Sequence, residues 1–416
     1  MVYAKKYIKR LKMNAVAEFD ADAPSFQLPP MIEEIRDMTR RIVRDELMPL
    51  EQQYLASDWA TYGATMENLK GVFDQKTVDR LVSISKDTGL WNMTVPEEFG
   101  GTGLGLLAQI VVSEELHYCA VPFPMATVPN ILYEAKGDQI ERFLKPVIAG
   151  EKSACFAQTE PNAGSDPGGM MQTRATKTEG GWLINGTKMW ISNALSSDII
   201  QVQAVTDPDK RQRGGITMFI VEKGTPGLNI EESGIRTWLG SRSAQYVVHF
   251  DNVFVPDANV LGEVGNGFRL GQRWLTIHDR LLRAPQALGR MQRSLDMSVE
   301  WAKQRVTFGK TLSERQAIQW RLVDMHVDIE ALRAMTYSAA ARGDRGEDVR
   351  NDASLVKYTA GEWGARTVDH AIQIHGAMGE ALELPLTVFY RLLRHMQIGG
   401  GTTEMQKMLI ARQLLK

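Results

Sequence analysis

Cysteine is nearly absent: Cys119 and Cys155 are the only two in 416 residues. A disulfide-built scaffold is disfavoured by that scarcity, and a reducing compartment is favoured. Charge of one sign is lacking too. The 48 Lys and Arg face 50 Asp and Glu, a formal net charge of −2, which gives no reason to expect a nucleic-acid partner. No uninterrupted apolar run approaches the ~18 residues of a membrane span. Near the start, Lys5, Lys6, Lys9, Arg10 and Lys12 are not followed by the apolar core of a signal peptide. These residues read as a basic, flexible extension over 1–30 and a cytoplasmic placement, with the mitochondrial matrix as the alternative in a eukaryote. Internal repeats and low-complexity segments are absent, and no metal site is expected.

What is present is a change of periodicity along the chain. Ile32, Ile35, Met38 and Ile42 recur at helical steps, and this texture predicts a helical domain over 31–152. It is broken at Pro96-Glu97-Glu98-Phe99-Gly100-Gly101-Thr102-Gly103, whose glycines follow no strand and are not read as a dinucleotide fingerprint. From 153 to 265 short β-rich runs take over, at 181–187, 199–205, 216–221 and 246–250, separated by turn residues. Helical periodicity returns over 266–416, interrupted at 306–309, 342–346 and 376–379. The predicted class is α+β, mostly α: an N-terminal helical domain, a middle β-sandwich or barrel, and a C-terminal four-helix bundle.

The densest chemistry lies in Phe156-Ala157-Gln158-Thr159-Glu160-Pro161-Asn162-Ala163-Gly164-Ser165-Asp166. An apolar lead-in from Ser153 suits a buried strand, and Pro161, Asn162 and Gly164 force a turn. Thr159 and Ser165 therefore sit at the lip of a strand, where hydroxyls and freed amides can meet a flat or phosphorylated ligand.

This segment resembles the FAD-contacting signature of the acyl-CoA dehydrogenases, and further motifs follow in the order and spacing of that family. The resemblance implies Phe156, Gln158 and Thr159 at the isoalloxazine ring, with Ser165 beside ring and thioester. Gly186-Thr187-Lys188-Met189-Trp190-Ile191-Ser192-Asn193 resembles the strand whose Trp covers the flavin and whose hydroxyl meets N5, hence Trp190 and Ser192. Arg305-Val306-Thr307-Phe308-Gly309 resembles the loop that reaches the neighbouring subunit's FAD, which implies Arg305 at the pyrophosphate, Phe308 near adenosine and Gln316 as a further contact. Gln373-Ile374-His375-Gly376-Ala377-Met378-Gly379 resembles another such stretch and implies Gln373 and Gly376 as contacts, although Ala377 replaces a usual glycine. The expected cofactor is thus FAD between subunits of a homotetramer, a dimer of dimers. The expected partners are an acyl-CoA substrate and an electron-transferring flavoprotein or similar acceptor.

Many members of the family carry their catalytic base in a C-terminal Glu-Gly-Thr. Here the matching stretch is Ile398-Gly399-Gly400-Gly401-Thr402-Thr403-Glu404, with Gly400 in the glutamate's place. Thr402 and Glu404 still match FAD-contacting positions, and the Gly400 amide is expected to polarise the thioester carbonyl. Isovaleryl-CoA dehydrogenase and some relatives place the base on a bundle helix instead, which implies Asp279 here, followed by the family's arginine, Arg280, a substrate-binding residue with Gly399. Helical spacing puts Asp279 on one face with Leu275 and Leu282. An intrahelical ion pair from Asp279 to Arg283 is the plain alternative, with His278 or Glu404 as other candidate bases. The resemblance implies α,β-dehydrogenation of an acyl-CoA, and the three glycines suggest a branched, cyclic or bulky acyl group. The alternatives are a flavin-dependent monooxygenase, a nitroalkane-oxidising enzyme with an Asp base, or a base-less flavin-binding subunit of a heteromer.

Overall fold

The computed structural model describes residues 28–58, 65–126, 128–239 and 245–416. Most of the expected basic extension lies outside the described residues, as does the side chain of His278. Among the described residues no helix is long and apolar enough to cross a membrane. The chain forms two compact units: the described residues of 1–60, 104–123 and 277–416 make one, and those of 61–103 and 124–276 make the other.

The first unit is helical. Its N-terminal pieces are α1 (Pro30–Ile42) and, after a segment belonging to the other unit, α4 (Leu106–Leu116). Pro30 occupies the first turn of α1, where a missing N–H removes no helical bond. The C-terminal pieces are α6 (Arg283–Gln304), α7 (Gln316–Asp344), α8 (Arg350–His375), α9 (Leu386–Met396) and α10 (Thr403–Leu414). Ile32 of α1 and Ile110 of α4 join Leu288, Ile329, Leu332 and Phe389 in one core, which is why these early helices pack with the bundle. The breaks expected at 306–309, 342–346 and 376–379 separate the three long helices from one another and from the segment that follows. The fourth is cut in two at 397–402, because Gly400 and Gly401 adopt left-handed backbone (φ +71° and +93°) that a continuing helix cannot hold.

The second unit contains α2 (Thr65–Val72), α3 (Gln75–Asp87), α5 (Gly267–Trp274) and an eight-stranded sheet. Its strands are β1 (Ala154–Ala157), β2 (Arg174–Thr178), β3 (Gly181–Ser192), β4 (Ile199–Val205), β5 (Ile216–Glu222), β6 (Leu228–Ile230), β7 (Gln245–Pro256) and β8 (Val260–Leu261). They run in the order β6-β7-β3-β2-β4-β5-β8, with β1 beside β4 in parallel. Every residue of β4 is buried, in keeping with its place between neighbours. Its alternate side chains enter two cores. Ile200 and Val202 meet Trp182, Ile184, Phe250 and Val253 from β3 and β7, so the sheet closes over itself as a sandwich or barrel does. Ile199 faces the other way, toward Phe143, Val147 and Ile148. The Gly100–Gly103 run is a tight turn: a Cβ on Gly101 would lie 1.7 Å from the Val95 carbonyl oxygen.

Gly289 marks the crossing of α6 and α4, since a Cβ there would sit 2.2 Å from the Glu114 carbonyl oxygen and 2.8 Å from the Tyr118 nitrogen. Backbone cannot yield as a side chain does, so Gly289→Ala is expected to destabilise the protein by about 2 kcal/mol or more, read as a lower denaturant midpoint.

Candidate active site

In the sheet unit, the chain leaving β1 is held by a buried ion pair. Glu160 and Lys188 are both sealed from solvent and meet at 2.8 Å. The Lys188 Nζ also donates to the Gln158 carbonyl oxygen at 3.0 Å. Glu160 in turn accepts from the backbone amides of Gln172 (2.5 Å) and Thr173 (3.0 Å). Burial pulls the Lys188 ammonium down to about 8 against the attraction of Glu160. For Glu160 burial pushes upward, but the Lys188 charge and its hydrogen bonds outweigh it, leaving the carboxyl below its usual range. One cross-link thus fixes residues 158–160 against β3, helped by the Met189 amide donating to the Thr159 carbonyl at 2.8 Å.

The pairing of β3 with β7 slips between Lys188 and Ile191, and Trp190 sits there at φ +62°, a conformation bulky residues rarely adopt. The slip turns the Trp190 ring outward, half exposed. Ser192 Oγ accepts from Gln245 Nε2 at 2.9 Å. Phe156 lies tilted against Trp274 with ring centroids 5.1 Å apart, Ser165 is exposed, and Asp166 caps the short turn after it. The buried Gln158 Nε2 has no hydrogen-bond partner. An orphaned buried donor, on a segment tied through Lys188 to the strand that carries an exposed ring, is the arrangement expected where a flat polar ligand supplies the acceptor.

In the helical unit, Arg305 follows α6 and enters a hairpin of β9 (Val306–Thr307) and β10 (Lys310–Thr311). Phe308 and Gly309 both have positive φ, as a two-residue hairpin turn requires, and Phe308 is 99% exposed at the tip. Gln316 opens α7 and Gln373 lies in the last turn of α8, both exposed. Gly376 has φ +60° and ψ −141° with open space where a Cβ would stand. Thr402 caps α10 through its side chain, which accepts from the Met405 amide, and Glu404 is exposed in the first turn.

Asp279 lies in a π-helical turn, Leu275–Leu281, a wide turn often found at functional sites. Its Oδ1 accepts from Arg283 Nη2 at 2.6 Å, so the expected i, i+4 ion pair is present. The same aspartate faces Gly400: a Cβ built there would lie 2.7 Å from the Asp279 carbonyl oxygen, 3.0 Å from its Cβ and 3.3 Å from its Cγ. Beside it, a Cβ on Gly399 would lie 2.8 Å from His395 Nε2, and one on Gly401 would lie 2.8 Å from Gln406 Nε2. The space expected beside the three glycines is therefore filled by protein, and a widened acyl pocket draws no support from them. Lys357, buried, donates to the Gly401 carbonyl. Motif spacing does not single out His395, Lys357 or the Glu160–Lys188 pair; polar residues at core positions of helix and strand patterns are the signal they leave. Two surface hollows of the sheet unit, about 230 and 520 Å³, contain none of these residues.

Models of the acyl-CoA dehydrogenase N-terminal, middle and C-terminal domains match residues 30–151, 155–253 and 265–415. The chain belongs to the acyl-CoA dehydrogenase family. It is 33% identical to the short-chain specific acyl-CoA dehydrogenase of Rattus norvegicus mitochondria, over 94% of this chain and 92% of that protein. It is also 33% identical to isovaleryl-CoA dehydrogenase of Solanum tuberosum mitochondria, over 82% of this chain and 85% of that one. Among solved structures, butyryl-CoA dehydrogenase from Megasphaera elsdenii matches with a TM-score of 0.79 and 32% identity, over 94% of this chain and 100% of that one. Acyl-CoA dehydrogenases are FAD-dependent oxidoreductases acting on acyl-CoA. The orphaned Gln158 amide, the outward Trp190 ring and the open Gly376 backbone all fit such a cofactor.

Glu160→Gln strands the Lys188 ammonium in the core, and a loss of about 3 kcal/mol or more is expected in denaturant unfolding. The double variant Glu160→Gln/Lys188→Met is expected to recover part of it. Burial, aided by Arg283 and Arg280, also pulls Lys357 down to about 8. The unfolded chain, with its lysine near ~10.4, binds a proton there that the folded chain sheds, so stability rises with pH between about 8 and 10 and the penalty stands in full below. Against Lys357→Met, the native protein is expected to gain about 2 kcal/mol across that window, measured by urea midpoints.

Proposed function

We propose that Asp279 is the base of an FAD-dependent α,β-dehydrogenation of an acyl-CoA thioester. The observation that carries this reading is the close approach of Gly400 to Asp279: the carboxyl of the π turn lies against the position that bears a glutamate in many relatives. FAD, when bound, supplies the acceptor for the β-hydrogen as hydride. Arg283 engages Oδ1 of Asp279 and steadies the carboxylate, leaving Oδ2 to take the proton from the α-carbon. The Gly400 amide polarises the thioester carbonyl, Gly399 lines the acyl group, and Arg280 binds substrate. An aspartate reaches about one methylene less far than a glutamate, so the α-carbon must come close. A branched or cyclic acyl group needs room from residues other than the glycines.

Phe156, Gln158, Thr159, Ser165, Trp190 and Ser192 are the groups of the sheet unit that would hold the flavin and exclude water from it. Arg305, Phe308, Gln316, Gln373, Gly376, Thr402 and Glu404 are those of the helical unit that would take its remaining parts, some of them from a neighbouring subunit. A homotetramer is supported by the exposed Phe308 tip and by Trp320, Val323 and Val327, an apolar stripe left open along α7. An electron-transferring flavoprotein is the proposed acceptor. The cytoplasm, or the mitochondrial matrix in a eukaryote, is the proposed compartment, in keeping with two buried free thiols.

The test is anaerobic reduction of the yellow, flavin-loaded protein by acyl-CoA. Asp279→Asn is expected to load flavin normally and to bleach at least about 100-fold more slowly. Full-rate bleaching by the variant would remove Asp279 as base.

A further inference from the structure

The carboxylate assigned as base is outnumbered. Arg280 adjoins Asp279 in the chain, Arg283 grips its Oδ1, and buried Lys357 is tied to the Gly401 carbonyl in the same glycine turn that touches Asp279. Among the described residues, three cations thus gather around one half-buried carboxylate. Glu404, the other carboxylate felt by Lys357, is exposed to solvent at the start of α10. His395, against Gly399, adds no negative charge, and burial with the nearby Arg283 and Lys357 lowers it to about 4, so it is neutral near pH 7. The Nε of Arg280 is buried without a hydrogen-bond partner, and burial pulls its guanidinium down despite Asp279.

A cluster of cations largely withdrawn from water that faces, among the described residues, a single close carboxylate is costly to the free protein. The ligand that relieves it is an anion, and a carboxylate satisfies two guanidinium donors at once. The thioester of a simple fatty acid brings no such charge to the acyl end. We propose that the acyl group taken here carries a second carboxylate, as in the CoA monothioester of a dicarboxylic acid, received by Arg280, Arg283 and Lys357 beside Asp279. This rests on the reading of Asp279 as the base. It adds a step in recognition: the incoming carboxylate competes with Asp279 for Arg283, so the base is loosened only when the matching substrate is in place. No bond other than those of the dehydrogenation is made or broken.

The experiment compares anaerobic flavin bleaching of the loaded protein by glutaryl-CoA and by pentanoyl-CoA, which have acyl chains of equal length and differ in the terminal carboxylate. At subsaturating concentration the dicarboxylic thioester is expected to act about tenfold faster or more, as a charge-assisted contact of this kind provides. Arg280→Gln and Arg283→Gln are each expected to draw that ratio toward one, while Arg283→Lys, which keeps the charge, retains most of it. Pentanoyl-CoA equal to or faster than glutaryl-CoA overturns the proposal and leaves the dehydrogenase reading intact. So does a ratio untouched by both glutamine variants, provided they load flavin and melt as the native protein does. Bleaching by neither thioester, nor by branched acyl-CoAs, overturns the dehydrogenase reading and this proposal together.

Discussion

The contact of Gly400 with Asp279 is the constraint around which the helical unit is arranged. It joins residues far apart in sequence through a backbone position where even a methyl group would collide. A side chain at 400 is barred twice, by that collision and by φ +71°. The left-handed pair Gly400–Gly401 ends any helix passing through, so the last segment of the bundle becomes two helices joined by a turn. The carbonyl of Gly401 then accepts from both Lys357 and Gln406, which holds the turn in place. The wide π turn bearing Asp279, the broken terminal helix and the buried lysine are therefore parts of one arrangement.

The sheet unit is organised by a different device. Its inner core is made by strand alternation and would form with many apolar sequences, but the segment after β1 has no such support. Glu160 and Lys188 provide it at the cost of dehydrating two charges, offset by four hydrogen bonds: two from the Gln172 and Thr173 amides and two from Lys188, to the carboxylate and to the Gln158 carbonyl. The pair lies two residues from Trp190, whose strained backbone is held by the β3 slip. Rigidity is concentrated where a flat ring would have to be received with little room for error.

Much of the architecture was legible because it follows from local periodicity. The strand leading into Gln158, the runs at 199–205 and 216–221, and the breaks after Gln304, Asp344 and His375 each carry their signal within a dozen residues. The division of the early helices was less legible: the 31–152 stretch reads as one helical texture, yet α1 and α4 share a core with Leu288 and Phe389 while Phe143 and Ile148 pack on the sheet. Helical spacing shows which face is apolar and says nothing of what will cover it. At the candidate site, the Asp279–Arg283 pair was visible as an i, i+4 spacing. The filling of the glycine turn by His395 and Gln406 was not, because a glycine in a sequence is equally compatible with open space and with a close approach.

By itself the sequence determined the class of the fold, the order of its elements and the presence of motifs suited to a flavin, since periodicity, turn residues and motif spacing are local properties of a chain. Only the tertiary structure decided that Asp279 and Gly400 meet, that Glu160 pairs with Lys188, and that Lys357 is tied to the glycine turn beside Asp279. Those facts depend on distances between residues 28 to 121 positions apart in the sequence, and such distances are set by how cores close rather than by any local pattern.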